Sequence, residues 1–369
     1  MKVNTMNKIK YYILLFLLFT SQPLLVLGQF TETREINKRF KVNPDTRIEI
    51  SNKYGKVELN TWDKDSVVLN ISIRVEDKKL SKLEKAIDDI DFEITDSQNF
   101  LVIKTLTGES QNQLEKEFQK FKETLFQTDG KSEINYTVWL PATNVLKVDN
   151  KFGDVYIGDY LGEVDITLSN GNLKSHDFGG KTELNLSFAD ATVNEIKTGR
   201  LNCNYSEMYL KKAGNLRIVS KSTEFEINEI TNLDTDSRRD KFRIRQAENV
   251  DAQGSFSNFR INELTDRITL RAEYGDIEIE KIAADFSSVF IESKSADIDL
   301  YFNKNSKFQF EITHTKAETS FSHDLNIENE ETLDEKEKKV KLTGNFGGKS
   351  DNVKLLINAT SGEMNIHTE

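Results

Sequence analysis

One short phrase recurs along most of this chain and limits what the chain can fold into. The segment NKFGDVYI at residues 150–157 returns as AEYGDIEI at residues 272–279, with degenerate copies between and beyond them. We call the position of Gly153 in this phrase the anchor. Successive anchors are 17 or 18 residues apart and later 21, too few for a helix pair or a propeller blade, so the repeat predicts a solenoid. The anchors are Gly153, Gly171, Ala189, Ser206, Thr223, Asp240, Ser257, Gly275, Ala296 and Ala317, with Gly362 closing the series after an insertion.

Apolar residues fall into fixed columns when the copies are aligned on their anchors. The fourth position after the anchor holds Ile157, Ser175, Val193, Leu210, Ile227, Ile244, Ile261, Ile279, Leu300, Phe321 and Ile366. The second position after the anchor, the fifth and seventh before it and the seventh after it are also mainly apolar. Because strand side chains alternate between faces, each copy predicts two short strands and an apolar corner. The predicted fold is therefore all-β dominated, a parallel β-helix or solenoid with coils of 17–21 residues, preceded by a small α+β N-terminal region.

An antiparallel β-sandwich is the alternative, because evenly spaced short strands are also typical of sandwiches. Strands of a sandwich lie in different environments, however, and have no reason to keep the same residue class in the same column over ten copies. Column identity therefore favours the solenoid.

The N-terminal residues predict export. Residues 1–28 combine lysines at Lys2, Lys8 and Lys10 with an apolar run over residues 11–19 and a small residue, Gly28, near the expected cleavage point. This is the pattern of a secretory signal peptide. The run is too short for a membrane span of about 20 residues, and we expect no transmembrane segment after cleavage.

Residues 29–143 read as an α+β region that covers one end of the solenoid. The segment at residues 47–62, RIEISNKYGKVELNTW, fits the repeat and is expected to be a displaced first coil. Three stretches within residues 67–75, 92–105 and 134–140 alternate as strands do. Apolar spacing over residues 80–90 and 114–125 predicts two amphipathic helices.

The solenoid is expected to occupy residues 144–369, with a charged insertion at about residues 322–345. The insertion contains the segment IENEETLDEKEKK and is expected to be a solvated loop between strands.

Composition excludes several classes of function and of stabilising bond. The exported chain has one cysteine, Cys203, so an intramolecular disulfide is impossible, and a buried structural thiol is the expected role. The net charge of -11 argues against nucleic acid and anionic membranes as partners, because both require a basic surface.

The sequence predicts neither a catalytic nor a metal site. The four histidines, His176, His314, His323 and His367, lack paired ligand spacing, and no metal or other cofactor is expected. Acidic residues follow many anchors in what we call the acidic ladder: Asp154, Asp190, Glu207, Glu224, Asp276, Asp297, Glu318 and Glu363. Such a ladder could bind calcium or supply acids for glycoside chemistry. An exposed turn position that suits Asp and Glu is the simpler interpretation, since no pair of acids is distinguished from the rest.

A group of arginines is the candidate ligand-binding site: Arg243, Arg245, Arg260 and Arg271. Arg243 and Arg260 occupy one outward column, with Glu226 and Glu278 in the same column on the coils to either side. Salt bridges between coils are the plain interpretation. The alternative is a basic patch that binds an anionic glycan or a lipid headgroup through guanidinium forks.

The repeat phrases resemble bacterial putative-adhesin families of unknown function. The resemblance is carried by GDVYI at residues 153–157, GDIEI at residues 275–279, NKYGKVEL at residues 52–59 and ATSGEMNIH at residues 359–367. It covers most of the mature chain, from about residue 47 to residue 367. It implies an exported β-helix of the cell envelope, and it brings no catalytic residues. The helical insertion and the charged segment near Glu328 depart from the simplest family pattern.

These observations favour a non-catalytic exported protein of the periplasm or cell surface, with a structural or adhesive role. Its partner could be an anionic glycan or another envelope protein. The first alternative is a carbohydrate-active β-helix enzyme, or a carbohydrate-binding module, acting on envelope or extracellular polysaccharide. A scaffold that assembles end to end is the second alternative. The tight coil spacing leaves little loop from which to build a catalytic groove.

Overall fold

The computed structural model of the chain describes residues 29–107, 131–348 and 352–369. These residues form one continuous sheet system with a single described α-helix, α1 (Leu80–Asp88). The strands are β1 (Phe30–Lys41), β2 (Arg47–Lys53), β3 (Val57–Trp62), β4 (Ser66–Asp77), β5 (Ile90–Asp96), β6 (Phe100–Thr107), β7 (Lys131–Pro141), β8 (Leu146–Lys151), β9 (Val155–Ile157), β10 (Val164–Ser169), β11 (Asn172–Ser187), β12 (Asp190–Asn204), β13 (Glu207–Lys221), β14 (Glu224–Arg238), β15 (Lys241–Ser255), β16 (Asn258–Ile282), β17 (Ser288–Phe302), β18 (Phe308–Thr315), β19 (Glu318–Phe321), β20 (Leu325–Asp334), β21 (Lys339–Phe346), β22 (Val353–Thr360) and β23 (Glu363–Thr368).

Each coil of the solenoid has a first strand that ends just before a sharp corner and a second strand that begins just after the anchor. In the first complete coil these are β8 and β9, and both pair in parallel with the next coil. Ile166, for example, lies between Val148 and Leu184 of the adjacent coils. From β8 to β17 the register advances by the repeat length at every coil, which confirms the predicted parallel solenoid.

The predicted columns form the core. Ile157, Val193 and Ile261 are at most 4% exposed, as are most other members of their column. Aromatic side chains stack in the interior where the column two residues after the anchor carries phenylalanine. Phe242 stacks between Phe225 and Phe259, with ring centroids 4.7 and 5.0 Å away. Buried stacks of this kind stabilise the coil-to-coil contact beyond the burial of apolar area.

The N-terminal end contains a coil that is displaced in sequence. β2 and β3 stack in parallel on β8 and β9, so residues 47–62 form the displaced coil that the repeat predicted. β6 and β7 add one further parallel layer. Antiparallel β5 then covers β6, while β4 and β1 extend the sheet beyond β7.

The C-terminal end departs from the order of the repeats in sequence. We expected the coil anchored at Ala317 to follow the coil anchored at Ala296. Instead, β17 pairs with β22 and β23, so the final coil of the chain lies next to it. β18 and β19 pair with the other edge of that final coil. The last coil is thus inserted between two coils that precede it in sequence, which is possible because all three carry the same apolar columns.

The charged segment near Glu328 is a β-hairpin rather than a solvated loop. β20 and β21 pair antiparallel, and β21 pairs antiparallel with β18. Leu325, Leu342 and Phe346 are buried and attach this hairpin to the core. Every residue of β20 after Leu325 is exposed, so the charged sequence reflects exposure and not the absence of a strand.

Three stretches predicted as strands in the N-terminal region are strands, and residues 80–88 form the first predicted helix. Leu83 and Ile87 supply the buried face of this helix. The second predicted helix, at residues 114–125, lies outside the described residues, as does the predicted signal peptide. None of the helices among the described residues has the length and apolar character needed to span a membrane. The division into domains at residues 28 and 143 stays a prediction.

Candidate binding surfaces

The residue immediately before each anchor forms a line along one outer corner of the solenoid, which we call the corner line. Every member has a positive φ, between 51 and 67°. Neighbouring members are joined by the backbone from coil to coil: the amide of Tyr205 donates to Lys221 (3.0 Å), and the amide of Ser222 donates to Arg238 (2.9 Å). In spatial order the line is Tyr54, Phe152, Asn170, Phe188, Tyr205, Ser222, Arg239, Phe256, Tyr274, Ser295, Ser361 and Lys316.

Aromatic residues make up half of this line, and five of the six are exposed to solvent. Phe188 is 61% exposed and Phe256 is 52% exposed. Their rings stack in pairs along the solenoid: Tyr54 on Phe152 (5.6 Å between centroids), Phe188 on Tyr205 (5.0 Å) and Phe256 on Tyr274 (4.8 Å). The aromatic residues thus form three stacked pairs aligned along one corner rather than scattered single residues.

Local backbone preference does not explain these aromatic residues. The left-handed conformation favours glycine and asparagine, and it is costly for bulky side chains. Only Asn170 follows that preference on the corner line. Each aromatic member therefore occupies a position where a smaller residue would be less strained, and its ring stays partly in water. The corner line is hard to find from sequence because its members vary in chemistry, although aromatic residues directly before several anchors are a visible signal.

A cavity of about 440 Å³ opens on the corner line at Ser222. One wall is Tyr205 and the opposite wall is Arg239, whose guanidinium carbon lies 6.0 Å from the centroid of Phe256. The amine of Lys221 lies 5.6 Å from the centroid of Tyr205. The cavity is lined by Asp190, Tyr205, Ser206, Glu207, Ser222, Thr223, Glu224, Arg239 and Lys241.

The four predicted arginines do not form one patch. Arg243 and Arg260 are neighbours on the second-strand face, as the repeat predicted, and Arg245 lies two residues further along the same strand as Arg243. Arg271 lies on a first strand, opposite Gln253, and so belongs to another face.

Each of the four arginines forms an ion pair with a glutamate on an adjacent coil. Arg243 pairs with Glu224 and Arg245 with Glu229. Arg260 and Glu278 are 2.5 Å apart, and Arg271 and Glu292 are 3.6 Å apart. The expected salt bridges between coils are present, and they neutralise much of the charge that a ligand would meet. The ligand-binding role of these arginines stays a prediction.

The acidic ladder lies at the start of the second strands, two residues after the corner line, and three of its members, Asp190, Glu207 and Glu224, line the cavity at Ser222. Partial burial acts to raise the pKa of Asp154, but hydrogen bonds from Asn172 and Tyr156 outweigh it and hold the pKa below its usual range. Among the described residues, no group of three or more His, Cys, Asp or Glu side chains is positioned to hold a metal ion.

The carboxyl group of Asp240 lies inside the solenoid. Asp240 is 1% exposed, and burial raises its pKa. It accepts hydrogen bonds from the hydroxyl of Ser220 (2.7 Å) and from the amides of Thr223 (2.7 Å) and Arg238 (3.0 Å). Burial also raises the pKa of the Cys203 thiol to about 12, and the charge of Asp240 adds to this shift. The buried thiol of Cys203 has the structural position that the sequence predicted.

Comparison with known proteins gives a likeness to solved structures only. No family model matches the chain, and no curated protein matches it. A putative cell adhesion protein from Clostridium sporogenes is 12% identical, with 92% of this chain and 100% of that chain covered and a TM-score of 0.17. A putative adhesin from Bacteroides fragilis is 12% identical, with 90% and 97% covered and a TM-score of 0.26. A putative lipid binding protein from Parabacteroides distasonis is 15% identical, with 73% and 96% covered and a TM-score of 0.32.

Putative adhesins are therefore among the structures to which this chain is similar, as the repeat phrases predicted. The TM-scores are low, and the argument for the solenoid rests on the strand pairing described above.

Proposed function

We propose that this chain is a non-catalytic, exported protein of the bacterial cell envelope, in which a rigid β-solenoid has an adhesive or structural binding role. The observation that carries this proposal is the unbroken coil-to-coil pairing. Parallel ladders join successive coils from β2 to β19 on both strand faces. A stack of this kind has no hinge between coils, and it presents its outer side chains at fixed spacing.

The carbohydrate-active enzyme is less well supported. Glycoside hydrolysis commonly needs a carboxylic acid with a raised pKa next to a second carboxylate, both facing the substrate. Burial raises the pKa of Asp240. This side chain is 1% exposed and is bonded to Ser220 within the coil, so a polysaccharide would have no access to it.

Charge disfavours end-to-end assembly through the sheet of first strands. The sheet of first strands ends at β5 on one side and at β20 on the other, and each of these strands pairs with a single described neighbour. β5 carries Asp91, Glu93 and Asp96, whereas β20 carries Glu328, Glu330, Glu331 and Asp334. Two rods continuing this sheet would place acidic edges together, and charged edges of this kind oppose strand pairing between molecules.

The test is an activity and location experiment on the same protein. The mature chain, residues 29–369, would be incubated with cellulose, chitin, mannan, pectin and peptidoglycan, and new reducing ends would be measured beside a heat-denatured control. Fractionation of cells that express the full chain would locate it. We expect no new reducing ends and recovery in the envelope or medium. Release of reducing ends, or retention of the full chain in the cytoplasm, would contradict the proposal.

A further inference from the structure

We propose that the corner line binds a neutral glycan and that one sugar ring occupies the level of Ser222, between Tyr205 and Arg239. This inference rests on the proposed binding role of the solenoid and names the ligand class and the site. The observation that carries this proposal is a gap in the aromatic stacking. One stack ends at Tyr205 and the next begins at Phe256, over which Arg239 lies, and Ser222 places no ring between Tyr205 and Arg239.

The spacing of the corner line fits one inserted ring. Successive corner residues follow the strand spacing of about 4.8 Å, so Tyr205 and Arg239 are two steps, or about 9.6 Å, apart. A ring midway would lie about 4.8 Å from each wall, close to the 5.0 Å between Phe188 and Tyr205 and the 4.8 Å between Phe256 and Tyr274. The ligand would thus continue a stack that the protein already forms on both sides.

The two walls suit the apolar face of a pyranose. One face of the Tyr205 ring stacks on Phe188, which leaves the other face directed along the line toward Ser222. Arg239 lies over Phe256, so its guanidinium forms a flat, supported opposite wall. Lys221 now lies over Tyr205, and its flexible stem allows the amine to move aside and donate to a sugar oxygen.

The polar lining supplies both acceptors and donors. Asp190 and Glu207 have no ion pair or side-chain hydrogen bond to another described residue, and their carboxylates can accept from sugar hydroxyls. Arg239 and Lys241 can donate. Glu224 is already paired with Arg243. Sugar hydroxyls would therefore meet carboxylate acceptors from Asp190 and Glu207 beside cationic donors from Arg239, Lys241 and Lys221. A mixture of acceptors and donors suits a neutral sugar, whose hydroxyls both donate and accept, whereas an anionic sugar would be repelled by the two carboxylates.

Other ring-shaped ligands fit less well. A base in a nucleotide or nucleic acid would bring phosphates to a chain with a net charge of -11, and repulsion between the negative charges disfavours binding. A phenyl ring from a partner protein could stack on Tyr205, but it would displace water from Asp190 and Glu207 without replacing their hydrogen bonds. Polar groups left unpaired in this way cost binding energy. A polyhydroxylated ring satisfies both the walls and the lining.

The test places an aromatic ring at the level of Ser222. Ser222→Tyr places a ring in the cavity, and the left-handed backbone there already accepts tyrosine at Tyr205 and Tyr274. Ser295→Tyr is the matched control, because Ser295 also lies on the corner line next to Tyr274 but does not line the cavity. The probes are cellohexaose, chitohexaose and mannohexaose as neutral glycans, oligogalacturonate as an anionic glycan, and phenol for an aromatic side chain. Binding to the mature chain would be measured by calorimetry, after circular dichroism shows that each variant is folded.

We expect at least one neutral hexasaccharide to bind, with affinity reduced about tenfold or more by Ser222→Tyr, as loss of a stacking site requires. Ser295→Tyr should change the affinity by less than about twofold. Tyr205→Phe should retain binding, whereas Tyr205→Ala should weaken it, which provides a second measure if Ser222→Tyr fails to fold.

Several outcomes would overturn the proposal. Equal binding by wild type and Ser222→Tyr would place the ligand elsewhere, and binding of oligogalacturonate alone would exclude the neutral class. Binding of phenol without any sugar would assign the site to an aromatic side chain of a protein partner, and a complete lack of neutral glycan binding would remove the proposal. None of these results would alter the reducing-end or fractionation results, so failure of this inference and failure of the proposed function are distinguishable.

Discussion

Gly153 packs backbone against backbone on Gly55, which belongs to the displaced coil at the N-terminal end. A Cβ atom on Gly153 would lie 2.0 Å from the carbonyl oxygen of Gly55. The side-chain amide of Asn150 donates to the carbonyl oxygens of both glycines, at 3.0 and 2.9 Å. The junction between a sequence-distant segment and the main stack therefore depends on the absence of a side chain at Gly153. A Cβ atom on Gly55 would instead lie 2.1 Å from the carbonyl oxygen of Ile134, on the other side of the displaced coil.

Gly153→Ala should destabilise this junction. The added methyl group cannot be accommodated without moving the two backbones apart, and overpacking of this kind costs about 1–3 kcal/mol. Chemical denaturation of the mature chain would measure the loss in unfolding free energy. Gly158→Ala is the control, because a Cβ atom at Gly158 would have no neighbour within 4 Å. Equal stability of the two variants would show that the coils are not packed as closely as described.

Asp240 should make the stability of the solenoid depend on pH in a defined direction. Burial raises its folded pKa above the value of about 3.9 in an unfolded chain, so the folded state binds the proton more tightly. The contribution of this group is most favourable below the unfolded pKa and is lost as pH rises through the folded pKa. Asp240→Ser should remove that loss, because serine does not ionise in this pH range. The variant should still fold, since a serine hydroxyl can accept from the Thr223 amide as Ser206 accepts from Ala189 (3.3 Å).

Unfolding free energies of wild type and Asp240→Ser would be measured across this pH window. The unfolding free energy of Asp240→Ser should increase relative to that of the wild type as pH rises. A difference that is constant with pH would mean that Asp240 has an ordinary pKa. Asp251→Ser, at an exposed position, controls for the loss of one negative charge.

The paired arginines of the second-strand face should contribute little to stability. Exposed salt bridges are worth about 0–1 kcal/mol each, so Arg243→Ser with Arg260→Ser should lower the unfolding free energy by less than about 2 kcal/mol. The same variant tests the predicted basic patch. Unchanged binding of oligogalacturonate would leave these arginines with a structural role only, whereas lost binding in a folded variant would support a ligand site.

Truncation before Asn352 should disrupt strands that precede the deleted segment, and not only remove the chain terminus. It removes β22 and β23, which β17 and β18 both need as partners. We expect faster amide hydrogen exchange in β18 and β21, and aggregation through the uncovered edge of β17. Exchange in the central coils, such as β13, serves as the internal control. Unchanged protection of β18 would mean that it pairs directly with β17.

The sequence columns predicted the core well because burial acts on every coil in the same way. Val148, Leu184 and Ile227 could be assigned to the interior from the repeat alone, and all are at most 1% exposed. The corner line escaped prediction because its position is set by backbone geometry and not by hydrophobicity. Tyr205, Ser222 and Arg239 share a left-handed conformation but no side-chain property.

The order of the C-terminal coils could not be predicted from the repeat for a related reason. Ile298, Met364 and Thr319 occupy equivalent positions in three coils. The repeat shows that these residues are equivalent, but it does not show which of the three coils are neighbours. Which coils become neighbours depends on how the strands pair at the C-terminal end and on which strands cover the end of the stack. The arginine ion pairs were predicted in part. The repeat predicted that Arg243 and Arg260 share a column, but it did not predict that Arg243 would pair with Glu224.

The corner line, the end layers and the cavity at Ser222 all depend on the register and order of the coils, so the most direct measurement is disulfide trapping of neighbouring coils. Asp299 is paired with Asn365, and Asn365 is paired with Ser320. Cysteines at Asp299 and Asn365 would therefore lie one strand spacing of about 4.8 Å apart, within the range that a disulfide can bridge. Cysteines at Asp299 and Ser320 would be two coils apart, at about 9.6 Å, and beyond that range. Under mild oxidation, the account predicts a bond in the Asp299→Cys/Asn365→Cys variant and none in Asp299→Cys/Ser320→Cys; the opposite result would show that the coils follow sequence order and would contradict it.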